Sequence, residues 1–101
     1  MKKIVLFCAG GMSTSLLVNR MKEVAAANGW EYDIAAYGLS AADDKGPDAD
    51  LILLGPQVRY ALSQLQSKFP GKPVAAMDMK YYGMMDGKSI LNEARKLLGD
   101  A

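Results

Sequence analysis

Apolar runs and polar gaps alternate along this chain, and the spacing switches repeatedly between strand and helix. Ile4-Val5-Leu6-Phe7 is a continuous β-favouring run and predicts a buried strand over 3–7. Leu17, Met21 and Val24 then recur at helical spacing, so a helix is expected over about 14–28, with Gly29 placed to cap it. From Trp30 to Tyr37 the period falls to two. Trp30, Tyr32, Ile34 and Ala36 share one face, and Glu31, Asp33 and Tyr37 fall on the other, as in a half-exposed edge strand.

The polar stretch 38–48 leaves room for a brief helix over 41–44 with Ser40 as its cap, ended by Pro47. Leu51-Ile52-Leu53-Leu54 is apolar at every position, as a central parallel strand should be. After the turn Gly55-Pro56-Gln57, Val58, Leu62, Leu65 and Phe69 mark a helix that Pro70-Gly71 stops. A fourth strand is expected over 73–77, a Met-, Tyr- and Gly-rich loop over 78–87, and a last helix over 88–98.

Strand and helix in strict alternation predict an α/β fold: one doubly wound, four-stranded parallel sheet in the order 2-1-3-4, with helices on both faces. Such sheets bind ligands beyond the carboxyl ends of their strands, at the switch point between strands one and three. The loop after Phe7 falls there, as do the turns beginning at Gly55 and Asp78. With 101 residues and no linker or repeat, residues 1–101 are expected to form a single domain.

Composition narrows the chemistry. Net charge is +1 with acids and bases mixed, so nothing favours nucleic acid or bare membrane as a partner. No apolar run approaches the about 20 residues needed to span a bilayer. The basic-then-apolar start is broken at Gly10 without a convincing cleavage region, and the single cysteine cannot pair within the chain. A cytoplasmic protein, monomeric when isolated, is the expectation. Histidine is absent altogether, which removes a histidine base, a Ser-His-Asp triad, a phosphohistidine on this chain and the commonest metal ligand. No metal and no cofactor is expected.

The stretch Cys8-Ala9-Gly10-Gly11-Met12-Ser13-Thr14-Ser15 carries the candidate chemistry. A strand ends, a loop of small residues follows, and a helix begins. Glycines let backbone approach a ligand, and the free amides at a helix start point at an anion. Cys8 sits where the loop begins, and the amides that hold a phosphate also hold a thiolate. A lone cysteine after a buried strand is otherwise a small core hydrophobe. Two glycines and three successive hydroxyl residues just before a helix favour the phosphate cradle.

Two departures decide the kind of phosphoryl chemistry. Small cysteine phosphatases of similar topology clamp phosphate with a Cys-x5-Arg loop. Here the arginine position is Thr14, and Arg20 is too far along the helix to replace it locally. Such enzymes also need an acid for the leaving group, and neither Asp78 nor Asp86 is obviously placed for that. Sulfur and amides without arginine suit a carrier that accepts a phosphoryl group and passes it on. A phosphohistidine donor fits, since imidazole leaves readily, and that histidine must belong to another protein.

These residues resemble the enzyme IIB component of the bacterial sugar phosphotransferase system, lactose/cellobiose (chitobiose) class. The resemblance covers essentially the whole chain. It is carried by Leu6-Phe7-Cys8 with Gly11-Met12-Ser13-Thr14-Ser15-Leu16-Leu17-Val18, by Leu53-Leu54-Gly55-Pro56-Gln57, and by Tyr82-Gly83 with Asp86-Gly87. It implies a phosphocysteine at Cys8 within a phosphate loop of Ala9, Gly10, Gly11, Met12, Ser13, Thr14 and Ser15. Gly10 departs from the alanine often found there. It further implies a IIA phosphohistidine protein as donor and a sugar in the membrane IIC component as acceptor, with cellobiose, chitobiose or a related β-disaccharide as that sugar. A low-molecular-weight cysteine phosphatase or arsenate-reductase relative is the alternative.

The remaining candidates concern partners. Met12, Met77, Met79, Met84 and Met85 gather near the predicted strand ends. Met77 and Met79 are expected to fill core gaps. Met84 and Met85 suit either packing or partner contact. Gln57 borders the phosphate or caps a helix, and Tyr60, Tyr81 and Tyr82 rim the site or bury a ring under a wet hydroxyl. Gln57, Tyr60, Tyr82 and Met84 are taken as the partner-facing set.

Overall fold

Four strands lie side by side, all parallel, in the order β2-β1-β3-β4. They are β1 (Lys2–Cys8), β2 (Tyr32–Gly38), β3 (Leu51–Leu54) and β4 (Val74–Ala76). The structure is a computed structural model that describes residues 1–9 and 12–101. The fold class and strand order are those the alternation predicts.

β1 is central because its side chains are apolar on both faces. Ile4, Val5, Leu6 and Phe7 are all fully buried, each contributing roughly 1.5–3 kcal/mol of burial. Period-two alternation splits them. Ile4, Leu6 and Cys8 face one layer, with Leu51 and Leu53 of β3 and Ile34 of β2. Val5 and Phe7 face the other, with Ile52 and Leu54.

Helices α1 (Met12–Ala27) and α5 (Gly87–Leu97) cover the Cys8 face. Leu17, Val18, Met21 and Ala25 of α1 meet Ile90, Leu91 and Ala94 of α5 over the sheet. Gly87 makes the close approach of these helices possible. A Cβ there would lie 2.8 Å from the Cβ of Arg20 and from the amide nitrogen of Met21. On the opposite face lie α2 (Ala42–Lys45) and α3 (Leu62–Lys68), which bury Ala42 and Leu65.

Gly29 follows α1 with φ +69°, the left-handed stop expected of it. Beyond it Trp30 precedes β2 rather than joining it, yet its ring still packs on the core with the Arg95 guanidinium stacked at 3.8 Å. Arg95 Nε also donates to the Tyr32 hydroxyl at 3.1 Å. That hydroxyl donates to Asp100 at 2.6 Å, and Lys2 Nζ donates to the same carboxylate at 2.6 Å. Both ends of the chain are thereby joined at the start of β1.

Three local expectations are corrected. Ser40 does not cap the second helix: a 3-10 turn, Leu39–Ala41, leads into α2, and neither start has a side-chain cap. The helix after β3 is not continuous. Pro56–Ala61 is 3-10, broken at Val58 (φ −119°, ψ 18°), before α3 begins. Its stripe still packs on the sheet, since Val58 and Leu65 are buried and Leu62 and Phe69 lie against them. The stretch expected to be all loop over 78–87 contains a helix, α4 (Met79–Gly83), capped by the Asp78 carboxylate.

Candidate functional site

Cys8 is the last residue of β1, paired with Gly38 of β2, and its side chain points to the α1 face. The neighbouring pair across the sheet is Phe7 with Leu54, and Gly55 donates its amide to the Phe7 carbonyl at 2.9 Å. That register sets Gly55 beside Cys8, where strands one and three diverge. A Cβ at Gly55 would lie 2.9 Å from Cys8 Sγ and 3.2 Å from Gln57 Oε1. Gly55 is therefore the residue that makes room for the sulfur. Local pattern does not reveal it, but the alternation Leu51, Leu53, residue 55 puts it on the sulfur's face.

The thiol is 2% exposed, while Ala9 beside it is exposed. A core cysteine and a thiol beneath a closed loop share this burial. They differ in the amides around the sulfur. The expectations placed on Gly10 and Gly11, and on the side chains of Met12 and Ser13, lie outside the described residues. Thr14 is buried in the first turn of α1 and Ser15 is exposed. Thr14 Oγ1 lies 3.5 Å from the Tyr82 hydroxyl.

The partner-facing set divides. Gln57 is exposed and reaches the Cys8–Gly55 corner. Tyr60 is 78% exposed on the 3-10 segment. Met84 is 62% exposed, but it shares a shallow hollow with Arg20, Glu23 and Val24, beyond the first turn of α1. Tyr82 is corrected: it is 9% exposed, within the core, and its hydroxyl turns to Thr14 rather than outward. Met77 fills the core as expected, whereas Met79 is 64% exposed because the chain has left the sheet and begun α4.

The groups a phosphatase would need are occupied elsewhere. The Arg20 guanidinium donates to the Met85 carbonyl at 3.1 Å. Asp78 Oδ1 accepts from the amides of Lys80 and Tyr81, at 2.8 and 3.2 Å. Asp86 accepts from the Ser89 hydroxyl at 2.7 Å and the Ser89 amide at 3.0 Å. Those bonds, the hydroxyl's first, hold its carboxyl below the usual carboxylate value. An ionised capping carboxylate has no proton for a leaving alkoxide. A separate hollow of about 390 Å³ opens beside β4, lined by Leu53, Met77, Tyr81, Ile90 and Leu97 but not Cys8. Among the described residues no helix is long and apolar enough to cross a membrane.

Residues 3–93 match the family model described as the PTS system, lactose/cellobiose-specific IIB subunit. The chain belongs to this family. IIB components are phosphotransferases of the sugar phosphotransferase system, and this chain is one of them. It is 44% identical over 100 residues to the oligo-beta-mannoside-specific EIIB component of Bacillus subtilis (strain 168), covering 97% of each chain. It is 40% identical over 104 residues to the galactose-specific EIIB component of Lactococcus lactis subsp. cremoris (strain MG1363), covering 96% of each. The solution structure of the cellobiose-specific IIB component from Borrelia burgdorferi superposes with a TM-score of 0.81 at 29% identity, over 98% of this chain and 93% of that one.

Proposed function

We propose that residues 1–101 act as one cytoplasmic IIB unit, monomeric when isolated, which carries a phosphoryl group on Cys8 between a IIA phosphohistidine and a sugar bound in the membrane IIC component. The observation that carries this reading is the place of Cys8, at the end of the central strand, facing α1 at the switch point, in a IIB chain with one cysteine. The Cys8 thiolate attacks phosphorus, forming S–P as P–N breaks, and the electron pair leaves with a neutral imidazole. The amides of residues 9–15 take up charge on the phosphoryl oxygens. A sugar hydroxyl then attacks, S–P breaks, the thiolate is regenerated, and the hydroxyl proton passes to a base outside this chain. With arginine committed to Met85, the loop holds the group without strongly promoting its hydrolysis.

The sugar is proposed to be a β-linked disaccharide such as cellobiose or chitobiose. Relatives named for oligo-beta-mannoside and cellobiose support that class, and another relative is named for galactose. The test is mass spectrometry after incubation with phosphoenolpyruvate and the upstream transfer proteins. One added phosphoryl group on Cys8, absent in Cys8→Ser, is expected. Fast turnover of an aryl phosphate would instead favour the phosphatase reading.

A further inference from the structure

We propose that Tyr82 is a positioning residue for transfer through Cys8, acting through Thr14; this rests on the carrier reading above. The two residues are 68 positions apart in sequence, yet their hydroxyls meet at 3.5 Å in the interior. Among the described residues each hydroxyl finds its hydrogen-bond partner in the other. Tyr82 stands on a braced support. Its amide donates to the Asp78 carbonyl at 2.9 Å, its carbonyl accepts from the Met85 amide at 3.0 Å, and the Asp78 carboxylate caps the same helix. Arg20 ties the far end of that segment to α1 through the Met85 carbonyl. The phenol is therefore a fixed post beneath the first turn of α1.

Thr14 belongs to that first turn, and the amides of a helix start have no acceptor within the helix and are the groups that hold an anion. Where Thr14 is held, those amides are aimed. At 3.5 Å the contact is slack beside the about 2.7–2.8 Å usual between hydroxyls. Hydrogen bonds around a reacting centre commonly tighten only when the reacting group arrives. The Tyr82 hydroxyl thus draws the turn to its working position as the phosphoryl group enters. Its effect falls on the transfer step and not on donor docking, because the ring is buried.

The experiment measures phosphoryl uptake from phosphorylated IIA over a range of donor concentrations, alongside urea melts. The chains are wild type, Tyr82→Phe, Thr14→Ser, Thr14→Val and the double variant Thr14→Val/Tyr82→Phe. Tyr82→Phe should lower the maximal rate about 3- to 10-fold, the worth of one neutral hydrogen bond, with donor KM unchanged. Thr14→Ser, which keeps the hydroxyl, should retain more of the rate than Thr14→Val. Thr14→Val should match Tyr82→Phe, and the double variant should lose nothing more. A wild-type rate in Tyr82→Phe, losses that multiply, or a changed KM alone would overturn the inference. A wild-type chain that takes up no phosphoryl group on Cys8 would overturn the carrier reading and this inference with it.

Discussion

Gly55 follows β3 directly and Cys8 ends the adjacent strand β1, and a methyl group on Gly55 would sit 2.9 Å from the Cys8 sulfur. Real side chains do not tolerate such a contact, so the sulfur or the strand must yield. Gly55→Ala should push the thiol off its rotamer at a cost of about 1–3 kcal/mol. Phosphoryl uptake should fall at least about tenfold, read as the initial rate of labelling from phosphorylated IIA. A fully active variant would mean that the sulfur works from another position.

Gly87 is constrained by backbone instead. A Cβ there meets the main chain of Arg20 and Met21 at 2.8 Å, and main chain cannot rotate away. Gly87→Ala should destabilise the fold by roughly 1–3 kcal/mol through separation of α1 and α5. The urea midpoint checks this, and labelling of Cys8 should survive under conditions where the variant stays folded.

Asp78 and Asp86 serve as helix caps, with their carboxylates turned to the amides of Lys80 and Tyr81 and to Ser89. Asp86→Asn and Asp78→Asn should lower the melting temperature while leaving the rate of phosphoryl uptake unchanged. The wild-type chain should show no appreciable turnover of p-nitrophenyl phosphate. An aryl phosphatase rate abolished by either substitution would reverse that assignment.

Stability should fall at both pH extremes for identifiable reasons. The Lys2 ammonium, then the Tyr32 hydroxyl, hold the Asp100 carboxyl below its ordinary 3.8. A depressed folded pKa contributes stability that is present above 3.8 and lost as pH falls through the folded value. Burial first, then the bond to Asp100, raises the Tyr32 phenol above 10.0, and the bond to Asp100 raises Lys2 above 10.5. Those contributions are present below the ordinary values and lost as pH rises through the raised ones. Asp100→Asn should flatten the acid limb of a stability–pH curve and lower its alkaline shoulder, as followed by thermal melts.

Much of this fold is legible along the chain because its strands are written as runs. Leu51–Leu54 is found with the predicted bounds, since four successive apolar residues leave no other place for a buried strand. The position of Cys8 follows from the same run that makes β1. What escapes is short or non-local. α4 is five residues long, too brief for a helical period to show, and only Asp78 ahead of it signals a cap. Met79 continues the strand parity of Met77, but the chain turns before reaching it. Tyr82 reads as a rim residue until the fold brings Thr14 over it. Gly55 owes its identity to a sulfur on the adjacent strand, and the clue to it lies in sheet parity, not in its own neighbours.

The Lys2–Asp100 bridge joins residues 2 and 100 at the pole of the sheet opposite the sulfur. Seven residues of β1 at about 3.3 Å each set the two poles roughly 20 Å apart. A fluorophore mounted at that pole therefore sits well away from the sulfur and leaves the opposite pole unmodified.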